Sequence, residues 1–449
     1  MSNTEPTQQA HHFHRTLGPV MIWGLGVGYV ISGMYFGWNL GLPAGGPYGM
    51  LAALAIVTVM YVAFILSYTE LTCAIPRAGG VFVYATRAYG PAFGYLGGIA
   101  QIIEFVFAPP AIAMAIGAYF TTFFPTVSPV LIAVSAYILF TTLNIHGAHH
   151  SAVFELIVTV LAVGELLVFA AVTLPHFSIE KFAVDPLPSG WSGIFPAIPF
   201  AIWFYLAIEG IANVAEETKN PRRDPIIGGL SAMATLVICA IVTFFAATGV
   251  SGWKAIVYAP GSVETVDKPL PLALGQLYDS SHPLFKMLIV VGLFGLIASF
   301  HGIILAAGRA TFEFGRMGYA PAILGTTLPK RRTPAWALLV NMFIGFAAIA
   351  TNRTGDIITI SVFGALVLYI VATISLLRLR HTEPNLDRPY RTPFYPWPPI
   401  VALVLAVLCI VAMTVYNLRM AGLFVAIVGL GYIWFAIAHR SNRIRSVHD

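Results

Sequence analysis

The stretch AIWFYLAIEGIANVAEETKNP (201–221) begins as an apolar run and then places a carboxylate, Glu209, near its middle. About 20 apolar residues are needed to cross the roughly 30 Å hydrocarbon core of a bilayer, so Glu209 falls before the run can leave the lipid. A charge at the centre of a span costs about 2.5 to 3.5 kcal/mol on insertion scales, and it therefore has to face a cavity or a partner. Gly210 follows directly, and the pair predicts an interrupted helix.

The composition of the whole chain is that of a polytopic membrane protein. Of its 449 residues, 58% are hydrophobic and only 10% are charged, and the mean hydropathy is +0.82. A water-soluble chain of this length could not cover its surface with so few polar residues. The apolar runs predict twelve transmembrane helices, at 17–40, 47–69, 92–122, 127–145, 151–174, 193–215, 225–250, 283–316, 333–352, 355–378, 397–416 and 419–439.

The distribution of lysine and arginine predicts that both termini are cytoplasmic. Of the 24 cationic residues, 18 fall on the side of the N-terminus and 6 on the other side of the twelve-span arrangement. The formal net charge of +5 is explained by this asymmetry, so a nucleic-acid partner has no support. No cleavage site follows the first apolar run, which we interpret as a retained span. The three cysteines, Cys73, Cys239 and Cys409, predict no disulfide framework.

Among membrane proteins, the sequence favours a secondary carrier over a pump, an enzyme or a channel. No GxxxxGK[ST] motif is present for ATP-driven transport. Two histidine groups, one at His11, His12 and His14 and one at His146, His149 and His150, lack the acidic ligands that a catalytic metal prefers, so no metal or other cofactor is expected. Channels are more often symmetric assemblies of short subunits, whereas here twelve spans lie in one chain.

Two spans carry interruptions at corresponding places, as carriers with broken helices do. The first span contains VGYVISGMYFGW (27–38), with Ser32 and Gly33 near its middle. The sixth contains FYLAIEGIANVA (204–215), with Glu209 and Gly210. Because the two spans are five apart, we predict a five-plus-five inverted repeat with two additional helices.

Several longer motifs resemble the amino acid, polyamine and organocation transporter superfamily. The best of them is SYTELTCAIPRAGGVFVYATRAYGPAFGYLGG (67–98), and others follow in the expected order, namely NIHG (144–147), EETKNPRRDP (216–225), GRATFEFGRMGYAP (308–321) and RPYRTPFYPWPP (388–399). Within the superfamily the chain most resembles the bacterial ethanolamine permeases. The resemblance implies an all-α membrane protein of the leucine-transporter-like type with helices 1 and 6 broken.

The resemblance also implies which residues bind the substrate. In such proteins the unwound part of span one reads Gly-Ser-Gly and its N–H groups hold a substrate carboxylate, whereas here the stretch is Ile31, Ser32 and Gly33, and Ala207 stands where span six usually has glycine. A β-branched residue resists the open backbone that an anion needs. We therefore expect a substrate without a carboxylate, with simple packing of Ile31 as the alternative.

Charged and aromatic residues complete the expected site. Glu104, in span three, is expected to bind an ammonium group, or else to pair with a polar residue of span eight or ten. Glu209 is expected to hold the broken backbone, with substrate contact as the alternative. Trp203 and Tyr205 precede the break in span six, and Trp203 is expected to close over a cationic headgroup.

Two titratable residues are candidates for proton coupling. Glu165 lies in span five, one turn beyond Ala162, where relatives often carry a lysine in place of a sodium ion. His301 lies within span eight and can change charge at physiological pH. For each residue, a packed polar contact is the alternative. Glu155, near the start of span five, is interpreted as a helix-end contact.

Together these observations predict a carrier of the cell membrane that imports a small cationic amine, with ethanolamine as the first candidate, by proton-coupled alternating access. An amino-acid permease or exchanger of the same superfamily is the alternative, and no enzymatic activity is expected. The expected organisation is an N-terminal tail (1–16), a transport core (17–378), two additional helices (397–439) and a C-terminal tail (440–449).

Overall fold

A computed structural model describes residues 15–77, 79–146, 152–259 and 261–440. Of the two histidine groups, only His146 lies within these ranges. The α-helices in chain order are α1 (Pro19–Val30), α2 (Ser32–Tyr35), α3 (Leu42–Ala74), α4 (Val81–Tyr89), α5 (Pro91–Phe120), α6 (Pro129–Ile145), α7 (Ala152–Thr173), α8 (Ile179–Phe182), α9 (Ile194–Trp203), α10 (Asp224–Thr248), α11 (Lys254–Val257), α12 (Pro269–Gly275), α13 (Pro283–Arg316), α14 (Ala335–Ala350), α15 (Thr354–Thr382), α16 (Trp397–Tyr416) and α17 (Leu418–Arg440).

Short 3₁₀ helices complete the secondary structure of the described residues, at Trp38–Gly41, Leu174–His176, Gly190–Gly193, Ile208–Glu217 and Ala322–Gly325. The protein is therefore all-helical over the described ranges, apart from two isolated β-bridges. The expected fold class is confirmed.

Nine helical stretches of the described chain are long and apolar enough to cross a membrane, and three shorter apolar helices lie at Pro19–Tyr35, Pro129–Ile145 and Ala335–Ala350. The shorter helices fall at the expected first, fourth and ninth spans, and the count of twelve stays a prediction. The expected third and eighth spans correspond to helices of 30 and 34 residues. At about 1.5 Å per residue, both are longer than the hydrocarbon core is thick, so they tilt or project beyond it.

The first interrupted helix departs from helical geometry later than its sequence suggests. Ile31 separates α1 from α2 but keeps right-handed helical angles, with φ −56° and ψ −27°. The chain leaves the helix at Phe36, which is extended, and Gly37, whose φ is +89°. A left-handed φ of this kind is readily adopted only by glycine, so the turn forms at Gly37 and not at Ser32–Gly33.

The second interruption lies just before the predicted pair, Glu209 and Gly210. Helix α9 ends at Trp203, and the chain resumes as a 3₁₀ helix at Ile208 after a non-helical turn. Ala207 closes this turn in the left-handed region, with φ +78° and ψ 7°. A residue with a Cβ atom is strained there, so the surrounding packing has to hold it.

The two interrupted helices are framed by long ones. Helix α1 packs against α7, α10 and α13, and α5 packs along α15. The α5–α15 approach is close at Gly364, where a Cβ atom would lie 2.6 Å from the Ala100 carbonyl oxygen and 2.7 Å from the Glu104 nitrogen. The backbone of α5 is thus fixed at Glu104.

Candidate functional site

The candidate site is formed where the turn before Ile208 meets α5 and α15. Glu104, on α5, and Glu209, after the turn, are fully and almost fully buried, with 0% and 2% of their surfaces exposed. The Ser361 hydroxyl of α15 donates a hydrogen bond of 2.7 Å to the Glu104 carbonyl oxygen and helps to hold this part of α5 in place. Two buried carboxyl groups therefore face one another on fixed backbones.

The carboxyl group of Glu104 has no ordinary hydrogen-bond donor among the described residues. Both of its oxygens are buried and unpartnered. The backbone at Ala207 approaches this carboxyl group without making a hydrogen bond of ordinary geometry, and the carboxyl group of Glu209 lies within hydrogen-bonding reach. Two carboxylates can make such a contact only with a shared proton or a cation between them. The expected alternative, pairing of Glu104 with a polar side chain of span eight or ten, is not what the structure shows.

Among the described residues, one hydroxyl group donates a hydrogen bond to Glu209. Its Oε2 accepts a hydrogen bond of 3.2 Å from the Tyr369 hydroxyl, while its Oε1 has no donor among the described residues. The Tyr369 hydroxyl also lies 2.8 Å from that of Tyr61, on α3. Glu209 is thus tied to α15 and α3 and still presents a free oxygen toward Glu104.

The first interrupted helix contributes close packing to this region. The N–H of Ile31 donates to the Val27 carbonyl oxygen at 2.8 Å, so it does not point into a site. Ser32 contacts Ser299 of α13, with 2.8 Å between their hydroxyl oxygens. A Cβ atom on Gly33 would lie 2.3 Å from the Trp203 carbonyl oxygen, so the two interrupted helices touch there.

Trp203 and Tyr205, the two aromatic residues expected to line the site, contact different helices. Trp203 is 3% exposed and packs edge-on against Phe36, with ring centroids 5.4 Å apart, and its ring also lies against Gly37. Its indole N–H has no partner among the described residues. Tyr205 points toward α3, where its hydroxyl lies 2.8 Å from that of Thr58. Of the two, Trp203 is the one placed between the interrupted helices.

Comparison with known proteins identifies the family. A sequence model described as amino acid permease matches residues 17–436. The chain belongs to this family. The match places it in the amino acid, polyamine and organocation superfamily expected from the motifs, and since the members are permeases, the chain is a transporter and not an enzyme.

Two curated relatives cover most of the permease. The permease is 30% identical over 404 residues to an uncharacterised transporter of Rhizobium meliloti (strain 1021), with 87% of this chain and 85% of the relative covered. It is 24% identical over 389 residues to the low-affinity putrescine importer of Escherichia coli (strain K12), with 84% and 83% covered.

The comparison with solved structures agrees with the fold. The permease resembles a mutant of the manganese transporter of Eremococcus coleocola, with a TM-score of 0.58 and 13% identity over 96% of each chain. At this identity the likeness concerns the fold alone.

The two proton-coupling candidates of the permease both have neighbours that fit a packing role. Glu165 accepts a hydrogen bond of 2.7 Å from the Tyr35 hydroxyl, which also bonds the Ala162 carbonyl oxygen at 3.1 Å. The His301 ring faces α6, where its Nδ1 lies 3.5 Å from the Asn144 amide nitrogen. The structure brings neither residue to the Glu104–Glu209 pair, and their role in coupling stays a prediction.

On either side of the site, contacts join segments that are distant in sequence. On the N-terminal side, the backbone at Leu17 pairs with Lys219, and Arg309 forms an ion pair of 3.3 Å with Glu217. On the opposite side, the lid segment (261–268) is held by hydrogen bonds from Asn39 to the Val266 carbonyl oxygen and from Thr354 to Asp267. Burial raises the pKa of Asp267 from 3.8 to about 6.

Sequence reasoning missed the two tyrosines that surround Glu209. Tyr61 and Tyr369 are 308 positions apart and lie in spans that otherwise read as apolar. A tyrosine in an apolar run is as typical of core packing as of a site, so no local signal marked either residue.

Proposed function

We propose that the permease imports a small cationic amine by alternating access, and that ethanolamine is the first candidate. The observation that carries this proposal is the Glu104 carboxyl group, buried without a donor among the described residues and facing Glu209. A buried carboxylate is strongly unfavourable unless a cation or a proton compensates it. An ammonium group carries three donors and no acceptor, which suits two converging carboxyl groups.

The surroundings favour a substrate without a carboxylate. A zwitterion would place its own carboxylate close to Glu104 and Glu209, where like charges repel. It would also need free N–H groups from the first interrupted helix, and the N–H of Ile31 is already used within that helix. A cationic amine needs neither.

The relatives support transport of small polar molecules without fixing which one. One relative is named a putrescine importer, another a methylthioribose transporter and a third a branched-chain amino acid permease. An amino-acid permease or exchanger therefore stays the second candidate. Ser32 and Gly33, which keep part of the family's pattern for carboxylate binding, favour it.

Proton coupling, cytoplasmic termini and the division into a core (17–378) and two additional helices (397–439) belong to the same proposal. The lysine and arginine distribution supports the orientation. Titratable carboxyl groups inside the helix bundle support protons as the coupling ion. Uptake into proteoliposomes should follow an inward pH gradient and should not depend on a sodium gradient.

The test is calorimetric titration of the purified permease with ethanolamine, in wild type and Glu104→Gln. The variant keeps the shape of the side chain and removes its charge, so we expect binding to be lost while the melting temperature of the empty protein stays unchanged. Glu180→Gln, which removes an exposed carboxylate of α8, is the matched control and should bind as wild type does.

Competition distinguishes the two candidate functions. Uptake of labelled ethanolamine should be inhibited by excess unlabelled ethanolamine and not by alanine. Alanine that binds wild type more tightly than ethanolamine, or a Glu104→Gln variant that binds ethanolamine normally, would reject the cationic-amine proposal.

A further inference from the structure

A second buried carboxyl group without a donor in the described chain lies far from the Glu104–Glu209 pair along the sequence, on α7. Glu155 is 4% exposed, and its Oε1 is fully buried and has no hydrogen-bond partner among the described residues. The sequence suggested only a helix-end contact for this residue. A helix-end carboxylate would have water or a cation beside it, and Glu155 has neither the exposure nor an ion pair within the described ranges.

The carboxyl group of Glu155 is pressed against α1. A Cβ atom on Gly28 would lie 2.5 Å from Glu155 Oε1 and 2.8 Å from the Thr159 hydroxyl oxygen. The Thr159 hydroxyl donates to the Gly24 carbonyl oxygen at 3.0 Å. Because Gly28 has no side chain, the side chains of Glu155 and Thr159 fit directly against α1. Any larger residue at position 28 would push α1 and α7 apart.

The contact contains one further titratable group, and charged residues lie beyond it. Tyr29, on α1, lies close to Glu155, and also to Arg309 of α13 and to Glu217. Arg309 is engaged by Glu217 in an ion pair of 3.3 Å. His301, also on α13, faces Asn144 of α6. None of these described groups forms an ion pair with Glu155, so they leave its charge uncompensated when it is ionised.

Glu165, on the same helix, is the natural comparison. The two carboxyl groups are ten residues apart on α7 and both face the first interrupted helix. Glu165 accepts a hydrogen bond from Tyr35, whereas Glu155 has a glycine opposite it. A carboxylate with a hydroxyl donor can stay charged in place, and one without a donor is accommodated as a neutral acid or by the entry of water.

We infer that Glu155 is a proton-binding site that links protonation to the packing of α1 against α7. This inference rests on the proposed proton-coupled transport and names the group that carries the proton. With the proton bound, the neutral carboxyl group lies against Gly28 and α1 stays packed. When the proton leaves, the carboxylate needs water, and α1 separates from α7 on the side where Leu17 and Lys219 meet.

The direct test uses proteoliposomes with the membrane potential clamped at zero. One coupled proton predicts that wild type accumulates ethanolamine about tenfold for each pH unit of inward gradient. Glu155→Gln should bind and exchange ethanolamine and yet reach only equal concentrations on the two sides. Glu180→Gln, which changes an exposed carboxylate, should accumulate as wild type does. The inference is overturned if Glu155→Gln accumulates fully, or if Glu165→Gln loses accumulation while Glu155→Gln keeps it.

A second measurement needs no substrate. The protection factor of the peptide that covers α1, from which the intrinsic pH effect has been removed, should fall in wild type as the pH is raised and stay constant in Glu155→Gln. A wild-type protection that does not change with pH overturns the inference by itself. A wild type that shows this change but binds no amine would reject the proposed substrate and leave the proton site in place.

Discussion

Two buried carboxyl groups of this permease differ in what surrounds them. Glu70, on α3, is fully buried, and it forms ion pairs of 2.6 Å with Arg380 and 3.2 Å with Arg388 and accepts hydrogen bonds of 2.8 Å from the N–H and hydroxyl of Thr392. Glu104 is buried to the same extent and has no donor among the described residues. The carboxylate that serves the fold is thus surrounded by its partners, whereas the one we propose to bind the substrate is not.

The largest loss of stability is expected when Glu70, the carboxylate with ion-pair partners, is changed. Glu70→Gln leaves the buried guanidinium of Arg388 with a weakened partner, and breaking a buried pair costs about 3 to 5 kcal/mol. We expect a melting temperature well below that of wild type, measured by thermal unfolding in detergent, whereas Glu104→Gln should not lower it. Equal melting temperatures for Glu70→Gln and wild type would contradict the proposed difference between Glu70 and Glu104.

A change of backbone packing should affect both stability and binding. Gly364→Ala places a methyl group 2.6 Å from the Ala100 carbonyl oxygen, and overpacking of this kind costs about 1 to 3 kcal/mol. Because the same methyl group lies 2.7 Å from the Glu104 nitrogen, we also expect weaker ethanolamine binding by calorimetry. Gly429→Ala, at a helical position with open space, is the control and should lower neither stability nor binding.

Replacing Ala207, in the turn of the second interrupted helix, by glycine should stabilise the protein. Ala207 has a φ of +78°, which glycine adopts without strain, so Ala207→Gly should raise the free energy of unfolding by about 1 kcal/mol. A melting temperature below that of wild type would mean that the turn is not strained at Ala207.

The smallest effect concerns the lid segment. Burial raises the pKa of Asp267 to about 6, so the segment binds this proton more tightly when packed as observed than when released into water. Its packing is therefore most stable below about pH 4 and loses stability as the pH rises through about 6. Hydrogen exchange of the lid segment should be a few-fold faster at about pH 7.5 than at about pH 5 after correction for intrinsic rates.

Asp267→Asn supplies the control for the lid. The amide stays neutral, so the corrected exchange of the variant should be the same at both pH values. A pH dependence that survives in Asp267→Asn would assign it to another group.

Features of the molecule that depend on composition and local chemistry could be predicted from the sequence. The fold class, an interruption close to Glu209 and the choice of Glu104 as a candidate follow from apolar runs that contain single charges or glycines. The first interruption was expected at Ser32–Gly33 and lies at Phe36–Gly37, because several glycines in one run leave open which of them forms the turn. The partners of a buried carboxylate come from distant helices, so the contrast between Glu155 and Glu165 could not be seen in the sequence.

The most direct test of Glu104 as the ammonium-binding residue is a structure of the permease with ethanolamine bound. We predict the ammonium nitrogen at about 2.7 to 2.9 Å from an oxygen of Glu104, with Glu209 on its other side. An ethanolamine bound elsewhere, or a Glu104 carboxyl group paired with a protein donor in that complex, would contradict the account.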